Sequence, residues 1–265
     1  MNEGCACGGE TVLTIQLKFA NFSVGVCSVL LFILCLPLCS ETSAESERTV
    51  DFAGYQWQTK HSPRYPVGPG PNYWSESRRN VWVDEAGSLH LRIVKRRDTW
   101  HCAEVFLENP LGFGEYVFEM ECPTGELRGP VVVGLFNYLS DREEIDIEIM
   151  ENQDRSEPAV YFVVQPHQKS GHVHRTPLNC AGEWIRLSFD WNQNRVSFRG
   201  ERFTEDDSGL NPEQFAEWSF SGPDLPTEDL TTHINLWLRE GSSLEAGREP
   251  EIVLRDFSFT PESEN

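Results

Sequence analysis

Residues 144–148, "EIDIE", alternate carboxylates with isoleucines. On a β-strand, successive side chains point to opposite faces, so Glu144, Asp146 and Glu148 would share one face and the isoleucines the other. A helix would spread the isoleucines around its axis, which fits a period of two less well. We therefore predict a strand with an apolar face and an acidic face, and we call the three acids the acidic row.

Three interpretations of the acidic row are compatible with its residue types and spacing. Its members would lie about 6.6 Å apart along the strand, and burying such like charges raises at least one pKa. One interpretation is a solvated face of an acidic protein. A second is a site for a hard cation such as calcium, which prefers carboxylate ligands. A third is a carboxylic acid beside an ionised carboxylate, the pair that hydrolyses glycosidic bonds.

Glycoside hydrolysis sets a distance condition on this strand. Retention of configuration requires two carboxyl groups about 5–5.5 Å apart. The Cα atoms of residues four apart on a strand are separated by roughly 13 Å. A bent strand lets Glu144 and Glu148 lean together, with Asp146 between them to hydrogen-bond one of them. The spacing permits this pairing without requiring it.

Strand signals dominate the rest of the chain. Short segments rich in β-branched and aromatic residues are separated by Gly, Pro and Asn turns. The predicted strands are 88–94, 115–122, 130–138, 144–150, 160–166, 184–191, 195–200, 233–238 and 251–259. One short helix is predicted over 211–218. This pattern favours an all-β fold, an antiparallel β-sandwich.

Several segments together resemble glycoside hydrolase family 16, the β-glucanase-like enzymes with a concanavalin A-like jelly roll. "EIDIE" resembles the family's E-x-D-x-E signature. "GLFNY" precedes it, "FDWNQNRVSFRG" resembles a family hairpin, and "INLWL" resembles its late N-x-W strand. These segments occur in the family's order and cover most of residues 50–260.

The resemblance implies roles for the acidic row. Glu144 would be the nucleophile that forms a glycosyl-enzyme intermediate. Glu148 would be the general acid and then the base that activates water, and Asp146 would tune the nucleophile. The implied activity is that of a retaining O-glycosyl hydrolase of the endo-β-glucanase type. The family also has a form with one residue inserted before the last Glu; the shorter form found here favours a mixed-linkage or β-1,4-containing glucan.

A glycan cleft also needs aromatic faces and polar groups for the sugars. Asn235 and Trp237 lie two apart and match the family's cleft-facing pair. The further candidates for substrate binding are Tyr138, Trp74, Trp100, Gln165, His167 and Glu104. The alternating histidines of 171–175 lack a Cys or acid at a recognisable spacing, so this segment is interpreted as a loop and no metal site is predicted.

Residues 1–44 have the character of a targeting leader. Lys18 precedes residues 19–40, which are apolar and uncharged. Three outcomes fit this pattern: a signal peptide cleaved after Ala44, lipidation at Cys39, or an uncleaved membrane anchor. Each places residues 45–265 outside the cytoplasm, as a secreted, cell-surface or periplasmic domain.

Charge restricts the partners of this domain. Residues 1–44 contain one Lys and three Glu, which leaves 21 basic and 39 acidic residues and a net charge of −18 in residues 45–265. Such a surface repels nucleic acid and anionic membranes. We expect a monomer that binds a β-linked polysaccharide or oligosaccharide and touches a membrane only through its leader. We expect no required cofactor, although a structural calcium ion is compatible with the fold.

The cysteines are too few for a disulfide scaffold. Five lie in the leader, and only Cys102, Cys122 and Cys180 lie in the domain. Three cysteines form at most one disulfide within a chain, which leaves one thiol.

Two other functions use the same fold. A non-catalytic, lectin-like protein binds carbohydrate without cleaving it, and a transglycosylase uses the same residues but passes the sugar to another sugar. The acidic row separates the first from an enzyme, since a lectin has no need of two facing glutamates. The sequence contains no G-x-S-x-G, P-loop or G-x-G-x-x-G motif.

Overall fold

A computed structural model describes residues 48–152, 156–180, 184–206, 209–227 and 229–263. The leader predicted over 1–44 lies outside these residues, so its fate and the localisation that depends on it stay predictions. Within the described residues, no helix is long and apolar enough to span a membrane.

The described residues form eighteen strands and one short 3-10 turn. The strands are β1 (Thr49–Phe52), β2 (Tyr55–Thr59), β3 (Ser62–Val67), β4 (Asn72–Trp74), β5 (Val81–Val83), β6 (Leu89–Arg92), β7 (Val94–Arg96), β8 (Thr99–Phe106), β9 (Gly114–Glu121), β10 (Val131–Ser140), β11 (Glu143–Asn152), β12 (Glu157–Val164), β13 (Val173–Pro177), β14 (Trp184–Trp191), β15 (Val196–Asp206), β16 (Gly209–Phe220), β17 (Thr231–Leu238) and β18 (Glu251–Pro261). The 3-10 turn is Arg239–Gly241.

The strands form two sheets. The larger has the order β1-β2-β8-β17-β10-β11-β12-β13, with β3, β4 and β7 attached beside β8. The smaller has the order β16-β15-β14-β9-β18-β6-β5. Every strand pair is antiparallel except β4 with β8. The predicted all-β jelly-roll sandwich is confirmed.

Strand β11 shows the predicted alternation. Ile145, Ile147 and Ile149 have no solvent exposure and belong to the core. The strand is paired on both edges, to β10 and to β12. Because the isoleucines point into the core, the acidic row must point to the other face of the larger sheet.

Two local predictions were wrong. Residues 211–218, predicted as a helix, belong to β16, which pairs with β15 along its length and stacks Trp218 on Phe198 at 5.3 Å. The ladder to β15 and this packing outweigh the local helical preference of the segment. Residues 171–175, interpreted as a loop, include the start of β13, which pairs with β12.

The three domain cysteines separate into a pair and a single thiol. Cys122 and Cys180 form a disulfide that closes a sequence separation of 58 residues. Cys102 is free and has no exposed surface. Burial raises the pKa of the Cys102 thiol to about 12, so this group stays a protonated, unreactive thiol.

Thiol counting tests this arrangement on the compact unit Glu45–Asn265. The native protein should not react with a thiol reagent, because Cys102 is buried. Unfolding without reductant should expose one thiol, and unfolding with reductant three. More than one thiol in the unreduced, unfolded protein would contradict the pairing. Reduction should lower the free energy of unfolding by about 2–4 kcal/mol, as measured by denaturant titration.

Candidate active site

A cavity of about 420 Å³ opens on the face of the larger sheet that carries the acidic row. Its floor comes from β8, β17, β10 and β11, which are consecutive neighbours in the sheet. The loop residues 67–69 form part of its wall. All three members of the acidic row line it.

The register of four strands aligns the polar groups of the floor. Gly134 on β10 lies opposite Glu148 on one side and opposite Asn235 on the other. Asn235 in turn lies opposite Glu104 on β8. Neighbouring strands are about 4.8 Å apart, so these residues form a continuous polar stripe across the sheet.

A glycine is required at position 134 of this polar stripe. A Cβ atom built on it would approach Asn235 Oδ1 to 2.5 Å. Asn235 is 1% exposed, and its Oδ1 has no hydrogen-bond partner among the described residues. The absence of a side chain at Gly134 therefore makes room for the buried Asn235 amide.

Burial raises the pKa of every carboxyl group in the acidic row. The pKa of Glu144 rises to about 7, chiefly by desolvation, with a smaller contribution from the negative charge of Glu148. The pKa of Glu148 rises to about 8, again chiefly by desolvation, then by the charge of Asp146; Arg239 opposes the shift. Burial also raises the pKa of Asp146 well above its usual range. Protons are therefore retained in this row at neutral pH.

A hydrogen bond between Asp146 and Glu144 decides which of that pair holds the proton. The bond raises the pKa of Asp146 and lowers that of Glu144, as expected when Asp146 donates to an ionised Glu144. The Gln165 side chain donates to the other side of Asp146, from Nε2 to Oδ2 at 3.3 Å. Gln165 thus acts on the acidic row, whereas the sequence predicted it to bind sugar.

Glu104 does line the cavity, as predicted, but its carboxylate is occupied by protein groups. Lys60 Nζ donates to Oε2 at 2.9 Å and His233 Nδ1 to Oε1 at 3.1 Å. The Asn235 amide also donates to Oε2, at 3.3 Å. Burial tends to raise the pKa of Glu104, but His233 and Lys60 together lower it, so this acid is ionised.

Three other predicted sugar-binding residues lie in the cavity. Asn235 and Trp237 line it from β17, and Tyr138 lines it from β10. Tyr138 donates its hydroxyl to Asp141 at 3.2 Å. Trp237 is partly buried, which suits an aromatic face that stacks on a sugar ring.

Three predicted residues do not reach the cavity. Trp74 is fully buried, with its indole N–H donating to the Val67 carbonyl at 3.2 Å. Trp100 is 8% exposed and borders a separate depression near Thr99. His167 lies beyond the cavity, where its backbone N–H donates to Gln165 Oε1. A position near a loop or an acid in the sequence does not show on which face of a sheet an aromatic ring lies.

The cavity residues that sequence reasoning did not select include Lys60, His233 and Gly134. Lys60 reaches the cavity from the end of β2, His233 lies two residues before Asn235, and Gly134 lies between Glu148 and Asn235. Asn235 and Trp237 were selected by their resemblance to the family's cleft-facing pair, and His233 shares their strand face, so the alternation of β17 could have added it. Within the described residues, no group of three or more His, Cys, Asp or Glu side chains is arranged to hold a metal ion.

Substitution of Gly134 tests the packing of the stripe. We expect Gly134→Ala to lower the free energy of unfolding by about 1–3 kcal/mol, because Asn235 is held by Glu104 and cannot move freely from the added methyl group. Gly125→Ala is the matched control, since a Cβ there meets nothing within 4 Å. Equal effects of the two substitutions in denaturant titrations would contradict the close contact.

Solved structures share this fold at low sequence identity. A β-glucanase of Bacillus licheniformis matches with a TM-score of 0.60 and 18% identity, covering 82% of this chain and 98% of that one. A prokaryotic β-1,3-1,4-glucanase (lichenase) derived from a mouse hindgut metagenome matches with a TM-score of 0.55, 15% identity and coverages of 82% and 99%. An immunostimulatory antigen and pseudo β-1,3-glucanase of Mycobacterium tuberculosis matches with a TM-score of 0.55, 16% identity and coverages of 78% and 91%.

No family model matches the sequence, and no curated protein matches it. The structural neighbours nevertheless include a protein described as a glycosyl hydrolase of family 16, from Mycobacterium smegmatis, at a TM-score of 0.51, 17% identity and coverages of 75% and 89%. The chain therefore has the β-sandwich fold of the family 16 β-glucanases that its sequence resembles.

Proposed function

We propose that the protein is a retaining glycoside hydrolase that cleaves β-glycosidic bonds in a polysaccharide, with a β-glucan as the favoured substrate. The observation that carries the proposal is the acidic row: Glu144 and Glu148 line one cavity, and burial raises the pKa of both into the neutral range. Such a combination of burial and like charge is typical of catalytic carboxyl groups.

The first step uses the two glutamates in different protonation states. Glu148, whose pKa is about 8, is protonated at neutral pH and donates its proton to the oxygen of the scissile glycosidic bond. Glu144, kept ionised by the hydrogen bond from Asp146, attacks the anomeric carbon. The bond to the leaving sugar breaks as the ester to Glu144 forms, and the leaving sugar departs with the proton from Glu148.

In the second step Glu148 acts as a base and Glu144 is the leaving group. Glu148, now ionised, accepts a proton from water, whose oxygen attacks the anomeric carbon and displaces Glu144. The sugar leaves with retained configuration, and Glu148 regains its proton. If a sugar hydroxyl replaces water, the same residues perform transglycosylation.

The cavity suits an uncharged, β-linked sugar chain. Trp237, which is partly buried, offers an aromatic surface at the cavity. The net charge of −18 outside the leader disfavours a polyanionic substrate. Among the structural neighbours, one is named a β-glucanase, one a β-1,3-glucanase and one a β-1,3-1,4-glucanase.

The rival function is carbohydrate binding without cleavage. One structural neighbour with the same fold is described as a pseudo β-1,3-glucanase, so the fold alone does not assign catalysis. The two functions differ in what they require of the acidic row, because binding tolerates loss of one carboxyl group and hydrolysis does not.

Replacement of the two glutamates separates these functions. We expect Glu148→Gln to lower the rate of reducing-sugar release from a β-glucan by about 10²–10⁴-fold, and Glu144→Gln by at least as much. Glu143→Gln is the matched control, because Glu143 neighbours the row in sequence but does not line the cavity. Binding of glucan by an inert wild-type protein and by both variants alike would favour the lectin-like function.

The pH dependence of kcat/KM provides a second test. The active form has an ionised Glu144 and a protonated Glu148. We expect kcat/KM to fall below about pH 7, as the Glu144–Asp146 pair takes up a further proton, and above about pH 8, as Glu148 loses its proton. Measurement on a soluble oligosaccharide across this range should give a narrow bell. A flat profile through neutral pH would contradict these assignments.

A further inference from the structure

Lys60 lines the cavity and contacts three protein groups through its ammonium group. Its Nζ atom donates to Glu104 Oε2 at 2.9 Å and to the Gly68 carbonyl at 2.9 Å. It also lies 4.3 Å from the centre of the Trp74 ring, a cation–π contact. Lys60 thus joins the loop of residues 67–69 to the floor of the cavity.

Glu104 has no oxygen left for a ligand. It is 2% exposed, and Lys60, His233 and Asn235 occupy both of its carboxylate oxygens. The polar stripe that starts at Glu148 therefore ends at Glu104, underneath Lys60 and the Gly68 carbonyl. We call the Lys60 contacts with Glu104 and Gly68 the end clamp.

The loop is fastened from its other side as well. The Asn72 amide donates to the carbonyls of Pro69 and Leu238, both at 2.8 Å. Leu238 directly follows Trp237, so this bond holds the loop against the end of β17. A Cβ atom on Gly241 would lie 2.7 Å from Pro71, which shows how closely the loop and the segment after β17 approach.

We propose that Lys60 is a specificity-determining residue, because the end clamp closes the cleft beyond Asn235 and Trp237. A sugar chain that extends from the acidic row across Gly134 meets the Asn235–Trp237 strand and then the clamped loop. The chain must therefore end on this side, whereas none of the described residues of β12 and β13 lines the cavity on the other side. This inference rests on the proposed function and specifies how much of the chain it binds.

The positive charge of Lys60 beside Glu104 explains why this one residue controls whether the end of the cleft is closed. Without the ammonium group, Glu104 would lose its closest cation in a buried position, and the Gly68 carbonyl would lose its donor. Water or a sugar hydroxyl would then replace Lys60 at Glu104. The end of the cleft would open to a further sugar ring.

The test measures binding as a function of chain length in a Glu148→Gln background, which prevents cleavage. The probes are mixed-linkage β-1,3-1,4-gluco-oligosaccharides from disaccharide to heptasaccharide, titrated by calorimetry. With Lys60 present, affinity should rise with length and then level off. In the Lys60→Met variant the longest probes should gain about two- to tenfold in affinity, equivalent to one additional net hydrogen bond, while the shortest should not.

Two variants control for indirect effects. Lys95→Met removes another exposed ammonium group that lies over a tryptophan ring, Trp100, away from the cavity, and should leave the length dependence unchanged. Lys60→Arg keeps a cation and should retain the plateau. Amide hydrogen exchange should rise in residues 62–72 of Lys60→Met and stay constant in β14, which shows that the loop is released while the protein remains folded.

The outcomes separate the closure from the proposed function. If the probes bind but Lys60→Met leaves the length dependence and the exchange of residues 62–72 unchanged, the end clamp does not close the cleft and the inference is wrong. If no probe binds to any variant, the proposed function fails together with the inference.

Discussion

The structure depends most on the burial of three carboxyl groups along one face of β11. Three adjacent ionised carboxylates removed from water would repel each other strongly, so the row is compatible with the fold only when it keeps protons. A strand that carries such a face needs compensation elsewhere. The opposite face supplies it, because Ile145, Ile147 and Ile149 are fully buried between the sheets, and β10 and β12 satisfy the backbone on both edges.

The same cavity contains a fourth buried acid with the opposite behaviour. Glu104 is almost fully buried, yet its pKa is lowered, because Lys60 and His233 donate to its carboxylate. For Glu148 the one cation that opposes the shift is Arg239, and its effect is smaller than those of desolvation and of Asp146. Glu104 is ionised and its charge is balanced by Lys60 and His233, so it acts as a structural group. Among the described residues, the members of the acidic row have no comparable cationic partners, so they remain able to exchange protons. In a domain with a net charge of −18, the position of Lys60 beside the buried Glu104 carboxylate is important because it balances that negative charge.

Patterns within a strand were predictable from the sequence, and relations between strands were not. The period of two in β11 and the resemblance of the Asn235–Trp237 pair to the family's cleft-facing pair together identified five residues that line the cavity. The close contact of Gly134 with Asn235 depends on the register of β10 with both neighbours, and Lys60 reaches the cavity from the position after β2. The segment 211–218 was predicted as a helix because its strand partner, β15, supplies hydrogen bonds that no local pattern contains. Trp74 and Trp100 show the same limit, since neither the flanking loop nor composition gives the direction of an isolated ring.

The fold alone does not separate enzymes from binding proteins. The raised pKa values of the acidic row therefore support catalysis more strongly than the fold does. Binding a sugar requires hydrogen-bond donors and acceptors, which amides and ionised carboxylates supply without a raised pKa. A binding protein gains nothing from two further carboxyl groups whose desolvation opposes ionisation, since each lowers the stability of the folded chain as the pH rises through its pKa. Hydrolysis, in contrast, requires one group that holds a proton near neutral pH beside one that is kept ionised. In the proposed mechanism, the hydrogen bond from Asp146 favours an ionised Glu144, and burial beside Asp146 raises the pKa of Glu148, on the same strand.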